Sequence, residues 1–315
     1  MAALFCAVVA ALLNIRGADA QHNTDDASLI NVASLAQLDA IRWDLDGDGT
    51  ADNPTDSTDP DDANAQTRGA AYTATFPSVT CPTDGCTGYE LMNDLNFSGS
   101  KWASGDGWEP IGIYTSGSSS PYGLPFEAIF EGDSHSISNL FINRPNEDGI
   151  GLFGNFGQHP GTGHEVRNLE LSNVDVTGGE SVGGLIGYFG AGSITDSSVT
   201  GGSVTGDEEV GGLVGSSGGP INNSSSAATV SGESQVGRLV GHNFDPITNS
   251  YATGNVSGED DVGGLVGRND DDITNSYAAG DATGTGDDGS HRSVDWWERT
   301  GMTAARSAVA MPGEP

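Results

Sequence analysis

Four aspartates in the segment DLDGDGTAD, Asp44, Asp46, Asp48 and Asp52, fall at positions 1, 3, 5 and 9 of an EF-hand-like loop, with Gly49 at position 6 where the chain must turn. Hard oxygen ligands at this spacing suit Ca²⁺. Position 12 is Thr55, so the bidentate glutamate is missing and the spacing implies a weak, roughly millimolar site. The plainer reading is an acidic turn running into NPTDSTDPDDANAQTRG, a Pro-, Asp- and Thr-rich surface excursion. Just beyond it, CPTDGC sets Cys81 and Cys86 on either side of a Pro- and Gly-containing turn. In an oxidising compartment these two would close a small disulfide loop, and two cysteines without a second ligand pair make a structural metal site the lesser reading.

The charge balance is the next chemical signal. The formal net charge is −33, from 44 acids against 11 basic residues, of which Lys101 is the single lysine. Such a surface excludes nucleic acid as a partner and is repelled by anionic membranes. Acids recur at one point of a repeat: Glu180, then Asp207, Glu208 and Glu209, then Glu233, then Glu259, Asp260 and Asp261. The plainer reading is a solvated acidic face suited to a saline habitat, and the sharper one is a line of divalent-cation sites.

Catalytic constellations are sparse. HEVRN at 164–168 opens like a zinc-protease helix, but Asn168 stands where the second His would be. The chain has no phosphate-cradling loop. Asp175, Glu180, Arg167 and Arg144 are the residue types of a polysaccharide-active site, and equally ordinary surface residues. Tyr251 and Tyr277, together with Trp102, Trp108 and Tyr114, offer rings for sugar stacking or else cover a core. The sequons at Asn96, Asn222, Asn223 and Asn255 are what Asn- and Ser-rich text yields by chance.

What positions these groups is a repeat. VGGLIG at Val182, VGGLVG at Val210, VGRLVG at Val236 and VGGLVG at Val262 recur at steps of 28, 26 and 26 residues, a period that signals a solenoid. A second column pairs an aliphatic residue with Asn or Asp two places on: Ile137/Asn139, Val166/Asn168, Ile194/Asp196, Ile221/Asn223, Ile247/Asn249 and Ile273/Asn275. Each repeat holds three stretches of strand character, such as VGGLVG, ITNSYA and NVSG, separated by turn formers. Strands rise about 3.3 Å per residue, and parallel neighbours stack about 4.8 Å apart. One repeat therefore makes one turn of a coil, with aliphatic columns inside and Asn139, Asn168, Asp196, Asn223, Asn249 and Asn275 as a hydrogen-bonding ladder. Strict alternation breaks between Ile247 and Ala252, which leaves inside and outside unassigned there.

The N-terminal region reads differently. LFCAVVAALL is an apolar run too short to span a bilayer, and ADA at 18–20 is a small-residue cleavage pattern, so residues 1–20 read as a signal peptide despite the missing basic residue ahead of the run. SLAQLDAIRWDL spaces Leu35, Leu38, Ile41 and Leu45 at helical intervals, with Ser34 and Gln37 as a capping box. The expected organisation is a signal at 1–20, a cap region at 21–88 with helix, acidic loop and disulfide, a β-helix at 89–284 with its regular repeats from about 150, and a degenerate or truncated tail at 285–315.

These segments resemble the bacterial surface proteins that carry the GLUG motif, through GGLIG, GGLVG and GRLVG and, upstream, LAQLDAIRWDLDGDG, GYELMNDLNF, WEPIG, FEAIFEGDSHSISNLFINR and GIGLFGNF. The resemblance implies an all-β, right-handed parallel β-helix, exported and often part of large adhesin-like proteins, and it implies no particular ligand. The resulting expectation is a secreted or cell-surface solenoid with a short N-terminal capping helix. It binds a glycan or cell-surface ligand without catalysis, and its mature chain does not enter the membrane. The alternatives are a polysaccharide-active enzyme and a structural spacer in a longer surface protein.

Overall fold

The computed structural model describes residues 27–49, 75–76, 81–82, 85–114, 123–157 and 163–285. The signal segment, Asp52, Thr55, the acidic excursion and the tail beyond residue 285 lie outside the described residues. Within them, thirty short strands assemble into five sheets, all of whose strand pairs are parallel. The chain is a parallel β-helix.

One coil shows the rule. Glu180–Gly183, Ile186–Phe189, Ser193–Thr195, Ser198–Val199 and Gly202–Thr205 each belong to a different sheet, and the next coil starts again at Glu208–Gly211. The three stretches expected per repeat are thus five strands, because two of the stretches bend in the middle. VGGLIG bends at its paired glycines. A Cβ on Gly211 or Gly237 would lie 1.9 Å from the carbonyl oxygen of Val214 or Val240, so the first glycine of the motif has no substitute. The second tolerates one: Arg238 occupies it, 2 % exposed, and donates from its guanidinium to the Gly264 carbonyl at 2.9 Å. Opposite it the interior column shrinks from Leu171 and Val199 to Ser226 and Ala252, which makes the room.

The second bend lies at Asp196, Asn223, Asn249 and Asn275, all with φ between 49 and 52°. Asn and Asp are the side-chain-bearing residues that enter this left-handed region at least cost, and the break in alternation between Ile247 and Ala252 is this corner. Ile194, Ile221, Ile247 and Ile273 stack in register on the strand before it, Val166 beneath them, all but wholly buried.

The ladder differs from its expected form at its first member. Ile137 pairs with Leu171, and Asn139 lies at a separate corner, where it accepts from Asn173 Nδ2 at 2.7 Å across 34 residues. The residue in register with Val166 is Phe130, followed below by Tyr89 and Ile30. Both corners demand the same left-handed backbone, with φ of 56° at Asn139 and 53° at Asn173. Both therefore select Asn two places after an aliphatic residue, and the spacing from Ile137 imitates a coil. The remaining rungs are interrupted. Asn168 Nδ2 turns to Glu131 at 3.0 Å, Asn223 donates to Asp196, Asn249 donates to Asn222 at 3.1 Å, and Asn275 donates to Asn249 at 3.4 Å.

The stack begins ahead of residue 89, since Leu29–Val32 pairs with Gly88–Leu91. The helix forms at Leu35–Ala40 with Ser34 as its cap. Ser34 Oγ accepts the Gln37 N–H at 3.3 Å, and Gln37 Oε1 accepts the Ala33 N–H at 2.8 Å. Its Leu38, with the following Ile41, joins the core at the N-terminal end.

Candidate binding face and metal loop

Each coil presents one outward residue on the sheet that follows the Asn corner, giving the column Glu170, Ser198, Ser225, Tyr251, Tyr277. The two tyrosine rings lie 5.2 Å apart and within 7° of parallel. That separation is close to the strand spacing, so the rings lie across the solenoid axis, one above the other. They are 41 % and 39 % exposed, which removes the reading that these two rings cover the core. The other rings do bury: Trp108 is wholly enclosed and donates its indole N–H to the Leu152 carbonyl at 3.2 Å, with Trp102 and Phe97 against its edges. Tyr114 stacks on Tyr188 at 4.8 Å; burial first, then Glu180, Tyr188, Glu209 and Asp148 nearby, push its phenol up to about 12.

The acidic corner forms as one feature but is not a bare column of like charge. Glu180 faces Glu208, then Ser234 and Asp260 follow; the adjacent column runs Ser181, Glu209, Gln235, Asp261. Like charges at this spacing repel by about 1 kcal/mol in water. Neutral donors answer them here: Ser181 Oγ donates to Glu209 at 2.7 Å and Gln235 Nε2 to Glu208 at 2.7 Å. Burial, then Glu209, Asp148 and Glu208, still hold the Glu180 carboxyl above its usual range.

A histidine that no sequence signal marked completes this face. His242 places Nδ1 3.1 Å from Glu209 Oε1 and Nε2 2.8 Å from Asp270 Oδ2, bridging carboxylates of the coils on either side, and Phe244 lies against its ring at 3.9 Å. Burial alone would lower its pKa; the bonds to Glu209 and Asp270 outweigh that and raise it. For Glu209 burial would raise the pKa, and the bonds from His242, Ser181 and Ser216 bring it below the usual range.

At the N-terminal end, Asp44, Asp46 and Asp48 offer carboxylate oxygens that lie within 4.8 Å of one another. Asp44 is fully buried and accepts the Tyr89 hydroxyl at 2.7 Å and the Gly49 N–H at 3.1 Å, while Asp46 accepts the Asp48 N–H at 3.2 Å. Three carboxylates this close together, two of them exposed, are hard oxygen donors of the type Ca²⁺ takes. Cys81 and Cys86 form the disulfide, and Cys81 Sγ lies 3.5 Å from the Asp48 carbonyl oxygen, so the bridge adjoins the loop.

The residues with polysaccharide-enzyme chemistry are each held separately. Arg167 pairs with Glu131 and Glu165 on one sheet, Arg144 with Glu147 at 2.9 Å, and Asp175 accepts from Ser203 at 3.3 Å on another sheet. Residues 165–167 of HEVRN are a strand. Among the described residues no helix is long and apolar enough to cross a membrane.

Comparison with known proteins places these observations. The GLUG motif is matched at residues 178–205 and 259–283, and the chain carries it there. Halomucin of Haloquadratum walsbyi is 37 % identical over 118 residues, 36 % of this chain and 1 % of that protein. A protein of Evansella cellulosilytica, named for a Gly-rich membrane protein, is 37 % identical over 89 residues, 28 % of this chain and 9 % of its own length. The chain thus spans a small part of either relative. A solved structure from Bacteroides ovatus that bears the name of an immunoglobulin A1 protease overlays with a TM-score of 0.41 and 23 % identity, over 60 % of this chain and 58 % of that one.

Proposed function

We propose that this chain is a secreted or surface-displayed β-helix that binds an extracellular ligand, a glycan or another cell-surface group, and performs no catalysis. The observation that carries this reading is the exposed, coaxial Tyr251–Tyr277 pair. Large rings left in water on a rigid sheet are contact area already ordered before binding, so association has little side-chain entropy to lose. Support for the surface location comes from the matched segments of halomucin and the Gly-rich membrane protein and from the disulfide. The strong negative charge keeps the chain off nucleic acid and anionic membranes.

Calcium would sit in the Asp44, Asp46 and Asp48 loop, tying the cap region to the first coils. Its role is structural in this reading.

The test is binding of the purified, oxidised full chain to glycan panels and to whole cells, with Tyr251→Ala/Tyr277→Ala as the comparison. Binding that falls at least tenfold in the double variant supports the reading. A chain that binds nothing on either panel is a spacer, and one that shortens a polysaccharide is an enzyme; either result overturns it.

A further inference from the structure

The tyrosine column stops abruptly at Ser225. Because the rings lie across the axis at nearly the coil spacing, the face of Tyr251 turned away from Tyr277 looks onto the place where a third ring would sit. Ser225 stands there in register, partly exposed, with Ser198 below it. Below the aromatic face of Tyr251 the column therefore holds a notch two coils deep, which runs over the hydroxyl-bearing Ser225 and Ser198 and ends at Glu170.

Ser225, Ser198 and Thr253 carry no charge, and the nearest charges beside them are acidic: Glu170 below Ser198 in the same column, and exposed Asp196 at the corner before Ser198, where it accepts from Asn223. Asn222, on the same coil as Ser225, is exposed, and its Oδ1 accepts both Thr248 Oγ1 at 2.8 Å and Asn249 Nδ2 at 3.1 Å. Its Nδ2 donors thus remain for an acceptor in solution. Thr253, beside Tyr251, is also exposed. An aromatic face with hydroxyl groups beside it and only acidic charge beyond them matches an uncharged ligand with a flat apolar face and a rim of hydroxyls. The acidic charge disfavours a sulfate or a carboxylate.

Resting on the binding reading above, we propose that the Tyr251–Ser225 notch is the ligand site and that it takes a pyranose ring of an uncharged polysaccharide. The sugar stacks on Tyr251 as the next member of the column.

The test is affinity electrophoresis of the full chain through gels containing hydroxyethylcellulose, mannan or galactan, against dextran sulfate and polygalacturonate. Three variants accompany it. Ser198→Tyr/Ser225→Tyr fills the notch with the residue the next two coils already carry, so its fold is expected to hold, checked by circular dichroism. Tyr251→Ala removes the stacking face, and Tyr277→Ala leaves that face in place. Retardation by an uncharged polysaccharide that weakens at least tenfold in Ser198→Tyr/Ser225→Tyr and Tyr251→Ala, and less than threefold in Tyr277→Ala, supports the site. Unchanged retardation of Ser198→Tyr/Ser225→Tyr overturns the notch while leaving the chain a binding protein. A wild type retarded by the charged polymers alone overturns the ligand class. No retardation in any gel together with continued binding to cells overturns the site and spares the broader reading, whereas loss of both overturns the two together.

Discussion

Ser250 Oγ accepts the backbone N–H of Ser224, 3.1 Å away on the neighbouring coil, while donating to the carbonyl of Thr248 at 2.8 Å. The same two bonds recur at Ser197, Ser224 and Ser276. At the corner the strand ladder is broken, and a buried N–H has to find another acceptor. The serine supplies it from the next coil. Ser250→Ala leaves the Ser224 N–H without that partner, and a loss of about 1–3 kcal/mol is expected. Urea unfolding followed by circular dichroism measures it, and a change below about 0.3 kcal/mol would remove the serine column from the account.

Asn249 tests the corner itself. With φ at 52°, Asn249→Ala carries the left-handed penalty of about 1 kcal/mol, whereas Asn249→Gly carries no such penalty. The expected order of thermal midpoints is therefore wild type and Gly above Ala. Ala equal to Gly would mean that the Nδ2 bond to Asn222, and not the backbone, selects asparagine here.

This corner also shows how much of the fold could be read in advance. The period and the isoleucine file were legible because each coil is built like the next, so identical environments select identical residues. The bend inside VGGLIG and the left-handed corner were not, since glycine and asparagine mark a turn without saying how sharply the chain bends. The spacing from Ile137 puts Asn139 in the wrong column for the same reason: two corners with one backbone conformation leave the same imprint. At the site, Asp44, Asp46 and Asp48 could be found because ligand spacing lies within one loop. His242 could not, because its partners Glu209 and Asp270 are 33 and 28 residues away and a lone histidine carries no pattern. Ser225 is legible in the sequence as the position where the two following repeats carry Tyr251 and Tyr277.

The His242 bridge makes stability depend on pH from both sides. The pKa of His242 is raised in the folded chain, so its contribution is complete below its ordinary 6.5 and is lost as pH rises through the raised value. The pKa of Glu209 is lowered, so its contribution is complete above its ordinary 4.5 and is lost as pH falls through the lowered value. Thermal midpoints measured across pH should be highest between about 4.5 and 6.5 for this bridge. His242→Gln should flatten the alkaline limb; an unaltered profile would show that the bridge contributes nothing.

The aspartate loop predicts a weak, specific calcium response. At a calcium concentration ten times Kd, the stabilisation is about 1.4 kcal/mol, and a rise in the melting temperature at millimolar Ca²⁺ beyond that given by equal ionic strength of NaCl is the expected result. Tb³⁺ in the loop should emit when Tyr89 is excited, since its hydroxyl contacts Asp44. Asp46→Asn/Asp48→Asn should abolish both signals. Equal signals in wild type and variant would place the cation elsewhere, with the acidic corner the first place to look.

Register between coils is most directly measured by cross-linking. Asn222 and Thr248 face each other across one strand pair, and Thr274 lies one strand further on. At about 4.8 Å the first pair is within the Cα range of a disulfide and the outer pair, at twice that, is beyond it. The Asn222→Cys/Thr248→Cys chain is expected to close a bridge under mild oxidation with its circular dichroism unchanged, and Asn222→Cys/Thr274→Cys to stay reduced. A bridge in the second chain, or none in the first, would mean that side chains one period apart do not lie over one another, and the stacked coil on which every site here depends would be wrong.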